Sequence, residues 1–190
     1  MKRFVSLLLM LSLLMLPLML LLMLTGCTKT VYVEYPQANI PLAARQENWT
    51  ASNGAGSCVW ATAVSLLEWG GNHRAANRIR TYGGGASLDS LTQVLDAEQI
   101  AYATTSSGDE DFLRSACDTR RGAGVVVEGG KHCICVVGRT NDYYLTLDNN
   151  DIEKFEWIPR AAFLRDWREA GGWAFAFTNS PVPPIATNHR

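Results

Sequence analysis

The sequence has 190 residues, with 17 basic and 18 acidic side chains, and 47% of its residues are hydrophobic. This length and apolar fraction suffice for one domain with a hydrophobic core. A formal net charge of −1 provides no basic surface of the kind that nucleic-acid-binding proteins use, so no nucleic-acid partner is expected.

The N-terminus combines a short basic stretch, Lys2 and Arg3, with an almost wholly apolar run over residues 4–24. This combination is typical of an export signal. The run is also long enough to span a bilayer, so a plain transmembrane anchor is an alternative interpretation. In both cases the rest of the chain is expected outside the cytoplasm, tethered to a membrane.

Leu24-Thr25-Gly26-Cys27, at the end of the apolar run, resembles a bacterial lipobox. The resemblance implies cleavage before Cys27 and attachment of a diacylglycerol to its sulfur. Residues 1–26 would then be a lipoprotein signal peptide, and the protein would be lipid-anchored in the bacterial cell envelope.

The remaining chain divides into three segments by composition. Residues 27–45 show little periodicity and are predicted to be a tether, and residues 179–190 contain three prolines and are predicted to be a loose tail. The folded domain is therefore expected over residues 46–178.

Helical spacing of apolar residues dominates the first half of this domain. Residues 59–69 are mostly apolar and predict a buried central helix. Further helices are predicted over residues 73–82, 87–95 and 109–120, and a short strand over residues 100–104.

The pattern changes to β-structure after Gly122. Strands are predicted over residues 123–128, 132–137 and 143–147, joined by turns at 129–131 and 138–142. A helix is expected to start at Pro159, and a last strand to cover residues 173–177. Helices followed by an antiparallel meander indicate an α+β domain.

Cys58 ends a Gly/Ser-rich loop, Asn53-Gly54-Ala55-Gly56-Ser57-Cys58, that leads directly into the central helix. The unpaired N–H groups and the dipole of a helix N-terminus favour a thiolate, which is the reactive form of cysteine. Cys58 is therefore the candidate nucleophile, although a lone cysteine at a helix start can also be a packed thiol.

Two further residues can serve a cysteine nucleophile, His132 at the start of one predicted strand and Asp148 just after the next. Antiparallel neighbours bring the start of one strand beside the end of the following one. His132 is therefore predicted to act as a base that Asp148 orients, although an ordinary edge histidine and a turn aspartate would have the same positions.

No metal or cofactor is expected from these residues. Alternation along the strand puts His132 on the opposite face from Cys133 and Cys135, so the three do not converge on zinc. The acidic residues after Leu147 lack the ligand spacing of a calcium loop. Cys117 could form a disulfide with Cys133 or Cys135 in an oxidising compartment, and buried free thiols are the alternative.

Three short segments resemble the papain-like cysteine peptidases, and the bacterial C39-like group in particular. They are Gly56-Ser57-Cys58 around the nucleophile, Gly130–Gly138 around His132, and Leu147-Asp148-Asn149. In element order the resemblance covers residues 46–178. It implies a papain-like cysteine peptidase fold, N-terminal helices followed by an antiparallel sheet, and cleavage of peptide or amide bonds in peptide or protein substrates without a cofactor.

The family also places a glutamine a few residues before the nucleophile, where it donates to the oxyanion. This sequence has no glutamine there, and Asn53 is the nearest amide, with Asn48 and Gln46 further back. Asn53 is therefore the predicted side-chain donor of the oxyanion hole, beside the backbone N–H of Cys58.

Two other functions stay open at this point. A transglutaminase or acyltransferase of related fold would use the same three residue types. A catalytically degenerate, peptide-binding lipoprotein would explain the missing glutamine.

Overall fold

The structure, a computed structural model, describes residues 40–178. This part of the chain contains five α-helices: α1 (Cys58–Trp69), α2 (His73–Ile79), α3 (Leu88–Ala97), α4 (Glu110–Asp118) and α5 (Arg160–Glu169). It contains six strands: β1 (Tyr102–Thr105), β2 (Ala123–Val127), β3 (His132–Arg139), β4 (Tyr143–Leu147), β5 (Glu156–Pro159) and β6 (Ala174–Phe177). Two short 3₁₀ turns cover Leu42–Ala44 and Glu128–Gly130.

The six strands form one antiparallel sheet in the order β1-β6-β2-β3-β4-β5. Strands β2 to β5 are a meander, and β6 returns along the other side to lie between β1 and β2. The predicted α+β class, N-terminal helices followed by an antiparallel sheet, is confirmed. The sequence analysis omitted the edge strand β5 and placed a helix start at Pro159, where this strand ends and α5 begins.

Helix α1 packs against one face of the sheet and α4 and α5 pack against the other. Strand β3 shows this division, because Cys133 and Cys135 belong to the core cluster around α1, whereas Ile134 and Val136 belong to the cluster around α4 and α5. The alternation of a strand thus supplies side chains to both layers. His132 begins this strand, between the two layers.

Three helices begin at a residue whose side chain accepts a hydrogen bond from the first turn, and all three are of a type that favours the N-cap position. Asn72 Oδ1 accepts from Ala75 N–H, Ser87 Oγ from Ser90 N–H, and Asp109 Oδ1 from Asp111 N–H. Helix α1 differs, because the hydroxyl of its N-cap residue Ser57 is turned to Gly84 N–H (2.9 Å) and not to the helix. The first N–H groups of α1 are thereby left for other acceptors.

Residues 40–45 pack onto the domain, whereas the sequence analysis assigned them to the tether. Ile40 is only 1% exposed. The Arg45 guanidinium donates to Ile40 O (3.2 Å) and Ile152 O (2.7 Å), and it lies 4.3 Å from the centroid of the Phe155 ring. The folded part of the chain therefore includes at least residues 40–178.

The predicted signal peptide, the lipidation residue Cys27 and the Pro-rich tail over 179–190 lie outside the described residues. Within residues 40–178, none of the helices is long and apolar enough to cross a membrane. The cysteines of this range are all free thiols, and Cys117, Cys133 and Cys135 are buried. The structure therefore favours the buried-thiol interpretation of these three over a disulfide.

Candidate active site

Cys58 is the first residue of α1, at the positive end of the helix dipole. The preceding residue, Ser57, is fully buried, and its N–H donates to Trp49 O (2.9 Å) and to Asn48 Oδ1 (2.8 Å). These bonds fix the loop that leads into the helix. The Cys58 side chain is half-buried and faces a cavity.

His132 is the first residue of β3, and its side chain is 8% exposed. Its Nε2 lies 2.8 Å from Asp148 Oδ1, and that oxygen also accepts Asn150 N–H (2.8 Å). The β3–β4 register pairs Cys135 with Leu147, which places the residue after β4 beside the start of β3. Since Nε2 is occupied by Asp148, Nδ1 is the ring nitrogen that remains for the thiol.

Cys58 and His132 line the same cavity, and each side chain shifts the pKa of the other. Burial raises the pKa of Cys58, but the hydrogen bond and charge of His132 and the N–H groups of Cys133 and Val59 lower it by more, so the pKa lies below its usual value of 9.0. The thiol hydrogen bond, opposed by burial and helped by Asp148, raises the pKa of His132 to about 9. Both shifts favour a thiolate–imidazolium pair near neutral pH.

Two cavities adjoin this pair. The first, of about 450 Å³, has Cys58, His132 and Asn48 in its wall, together with the small residues Ala55, Gly56, Gly85, Ala86 and Gly130. The second, of about 300 Å³, is lined by Asp148 and by side chains of β5 and α5, such as Ile158 and Phe163. Glu128 and His132 border both cavities, so a ligand can be bound on both sides of the imidazole.

The structure does not bring Asn53 to Cys58. Asn53 is exposed, its Oδ1 accepts Ala55 N–H (3.0 Å) in a turn, and it lies outside the set of described residues that line the first cavity. These contacts do not support the predicted place of Asn53 in the oxyanion hole, which stays a prediction. The physical reason is that the loop over residues 50–56 folds back on itself, as the bridge between Thr50 and Gly56 shows, and carries Asn53 away.

Asn48 is one of two asparagines that line this cavity, and the other is Asn150. Its Oδ1 is held by Ser57 N–H, its backbone N–H donates to Asn149 O (2.8 Å), and its Nδ2 donates to Asn150 Oδ1 (3.0 Å). An amide nitrogen has two hydrogens, so the second one is available to a ligand in the cavity. The sequence analysis passed over Asn48 because it lies ten residues before Cys58 and only the folded-back loop brings it near.

Asn149 is a second residue that sequence reasoning missed. It is 3% exposed, and its Nδ2 lies 2.7 Å from Cys133 O, 3.1 Å from Cys58 O and 3.0 Å from Thr62 Oγ1. In the sequence it reads only as a turn residue after Asp148. A buried asparagine with three partners on two elements could be found only from the structure.

Metal chemistry receives no support from the described residues. No group of three or more His, Cys, Asp or Glu side chains within residues 40–178 is placed to hold a metal ion. Cys133 and Cys135 lie in the core around α1, where burial raises the pKa of Cys135 to about 12 and that of Cys133 in the same direction.

Comparison with known proteins gives a likeness of fold. No model of a known protein family matches the sequence, and no curated protein sequence matches it. Among solved structures, a candidate C39-like peptidase from Bacillus anthracis is similar, with a TM-score of 0.54 and 12% sequence identity, over 76% of this chain and 97% of that one. The chain therefore has the papain-like fold of a C39-like peptidase.

Proposed function

We propose that this protein is a cysteine peptidase, in which Cys58 is the nucleophile, His132 the general acid and base, and Asp148 the residue that orients His132. The observation that carries the proposal is the position of the His132 ring, which lines the same cavity as Cys58 and lies 2.8 Å from Asp148 Oδ1. A thiol, an imidazole and a carboxylate in this order are the machinery of thiol-dependent acyl transfer.

The geometry supports the following steps. The Cys58 thiolate attacks the carbonyl carbon of an amide, and the carbonyl oxygen takes the negative charge. The His132 imidazolium then gives its proton to the leaving nitrogen, the C–N bond breaks, and a thioester forms on Cys58. Water attacks the thioester while His132 accepts a proton from it, so the acid is released and the thiolate–imidazolium pair is restored.

Two donors would bind the oxyanion in this scheme. One is the backbone N–H of Cys58 at the start of α1, and the other is Asn48 Nδ2, whose second hydrogen is available in the cavity. Asn48 therefore takes the role that the sequence analysis gave to Asn53. Preorganised donors of this kind contribute about 100- to 1000-fold each to the rate.

The cellular setting is also a proposal, which rests on the sequence. The apolar run over residues 4–24 and the lipobox-like segment at Cys27 suggest an enzyme held on the outer face of a bacterial membrane by a lipid, acting on peptides or proteins there. Metabolic labelling with a fatty acid that carries a clickable tag should mark the wild-type protein and leave Cys27→Ser unmarked. Equal labelling of the two would contradict the lipoprotein assignment.

The peptidase assignment is tested with a peptide mixture of diverse sequence, whose products are identified by mass spectrometry. We expect new termini with the wild-type protein and with Cys117→Ala, a matched change at a buried thiol, and none with Cys58→Ala. Adding a primary amine separates the alternatives, because an acyltransferase would give amine adducts in place of free acids. Peptide binding without any product would instead indicate a degenerate binding protein.

A further inference from the structure

The residues of the candidate site come from three separate segments, the start of α1, the start of β3 and the loop after β4. The β3–β4 pairing ends at Cys135 and Leu147, so the ladder itself does not extend to His132 and Asp148. His132 pairs with Val127 of β2 and is hydrogen-bonded to Asp148, but neither contact reaches the start of α1 at Cys58.

One buried amide connects all three segments. Asn149 Nδ2 donates to Cys58 O (3.1 Å) at the start of α1 and to Cys133 O (2.7 Å) in β3, while Asn149 itself follows Asp148. Its partners are thus the main chain of Cys58 and the main chain of the residue next to His132. Since it is 3% exposed, water does not compete for these bonds.

The orientation of the amide follows from its partners. Two of them are carbonyl oxygens, which can only accept, so the nitrogen must face them and the oxygen must point away. The amide nitrogen has two hydrogens for three acceptors, so one hydrogen is shared between two of them. The third acceptor, Thr62 Oγ1, lies 3.0 Å from Asn149 Nδ2 and donates its own hydrogen to Cys133 O (3.0 Å). Thr62, one turn along α1, completes the connection between the helix and the strand.

We propose that Asn149 is a positioning residue: its buried amide fixes the relative positions of Cys58, His132 and Asp148 by binding the main chain at or beside each of them. The inference deepens the proposed function and rests on it, because it concerns the same three residues. Asn149 does not touch the substrate. It acts by holding the thiol and the imidazole at hydrogen-bonding distance.

The test measures the rate at which iodoacetamide alkylates Cys58 as a function of pH, with the labelled residue identified by mass spectrometry, in the full chain. Asn149→Ala removes the donor, and Leu91→Ala, a truncation of a buried core residue of α3, controls for lost stability. Asn141→Ala replaces an exposed asparagine in the β3–β4 turn and controls for the residue type.

We expect Asn149→Ala to lower the alkylation rate at pH 7 by about tenfold or more, because a shift of about 1 Å can cost about 100-fold at a reacting centre. The pH of half-maximal rate should move up towards that of an ordinary thiol. Leu91→Ala should lower the melting temperature and keep the wild-type pH profile, as should Asn141→Ala. If Asn149→Ala does not fold, Asn149→Ser is the second variant, because it keeps one short donor. The pH of half-maximal rate should then move in the same direction by a smaller amount.

Two outcomes would overturn the inference, and they differ from a failure of the proposed function. A folded Asn149 variant with the wild-type pH profile would show that the amide does not position the thiol. An equal shift in Asn149→Ala and Leu91→Ala would assign the effect to stability alone. A wild-type protein whose Cys58 alkylates like an ordinary thiol would instead contradict the proposed function itself.

Discussion

The charge state of Cys58 depends on two opposing effects: burial raises the pKa of the thiol, and nearby donors and charges lower it. The buried cysteines elsewhere in the domain show what burial does. At Cys117 and Cys135 burial is the largest effect and raises the thiol pKa to about 12 in each case. At Cys58 burial raises the pKa as well, but the His132 ring and two backbone N–H groups more than offset it. Cys58 is therefore the thiol that we expect to react near neutral pH.

Asp148→Asn tests the electrostatic role of the carboxylate. Asp148 helps to raise the pKa of His132 to about 9, so a neutral amide should lower that pKa and His132 should lose its proton at lower pH. We expect the alkaline limb of kcat/KM against pH to move to lower pH, with a smaller loss of activity than in His132→Ala. An alkaline limb that stays in place would show that Asp148 does not act on His132 through its charge.

Asn48→Ala tests the proposed oxyanion donor. We expect kcat to fall by about 100- to 1000-fold, while the rate of Cys58 alkylation by iodoacetamide stays close to wild type. Alkylation forms no oxyanion, and Ser57 N–H keeps its bond to Trp49 O when the Asn48 acceptor is lost. Asn53→Ala is the matched control and should leave both rates close to wild type. Equal losses of kcat in the two variants, or a loss of alkylation in Asn48→Ala, would contradict the assignment.

Some site residues can be predicted from the sequence and others cannot. The difference is whether the neighbouring residues in the sequence mark the position. Cys58 follows a Gly/Ser loop, His132 starts a strand, and Asp148 follows one, so each position is marked by its immediate neighbours. Asn48 and Asn149 reach the site only through a loop that folds back and through a buried contact between elements. Neither contact leaves a pattern in the neighbouring residues.

At the scale of elements, the packing of β2 against β6 depends on a glycine. A Cβ added at Gly124 would lie 2.2 Å from Cε1 of Phe175, a fully buried ring. We expect Gly124→Ala to lower the free energy of unfolding by about 1–3 kcal/mol, since added atoms in a filled core force side chains and backbone to shift.

Gly138→Ala is the matched control for this prediction, because its Cβ would meet Leu145 Cβ at an ordinary 3.6 Å. Its free energy of unfolding should stay within about 1 kcal/mol of wild type. Denaturant titrations of both variants give the comparison. A Gly124→Ala protein as stable as Gly138→Ala would mean that Phe175 moves aside without cost.

The helices were easier to predict than the arrangement of the strands. Capping residues such as Ser87 and Asp109 mark where α3 and α4 begin, and these signals are local. Strand β5 has only four residues, lies at the sheet edge and ends in Pro159, which itself signals a helix start. The place of β6 between β1 and β2 depends on pairs such as Tyr102 with Phe177, far apart in the chain.

At the scale of the whole molecule, Arg45 links the start of the described chain, at Ile40, to the loop that follows the site, at Ile152. Its guanidinium binds Ile40 O and Ile152 O, and its partners beyond Ile40 lie more than a hundred residues away in sequence. Because these partners are so distant in the sequence, residues 40–45 carry no local sign that they pack on the domain. The sequence pattern therefore extends the predicted tether to residue 45.

Arg45→Ala should therefore destabilise the domain, by about 1–3 kcal/mol, because carbonyl groups lose a charged donor. Arg45→Lys should recover only part of the loss, since an ammonium group lacks the planar fork that reaches several carbonyls. Thermal unfolding measures both variants, with the exposed Arg74→Ala as control. Similar melting temperatures for Arg45→Ala and Arg74→Ala would show that this contact does not hold the segment in place.

The central claim is that Cys58 and His132 form a thiolate–imidazolium pair, and the pH dependence of Cys58 alkylation tests it most directly. In the wild-type protein the rate should reach half its maximum below pH 9, with the label on Cys58 and not on Cys117, Cys133 or Cys135. His132→Ala should move this midpoint up and lower the rate at pH 7, because an ordinary thiol is only a few per cent ionised there. The same midpoint in both proteins, or label on the buried cysteines instead, would contradict the account.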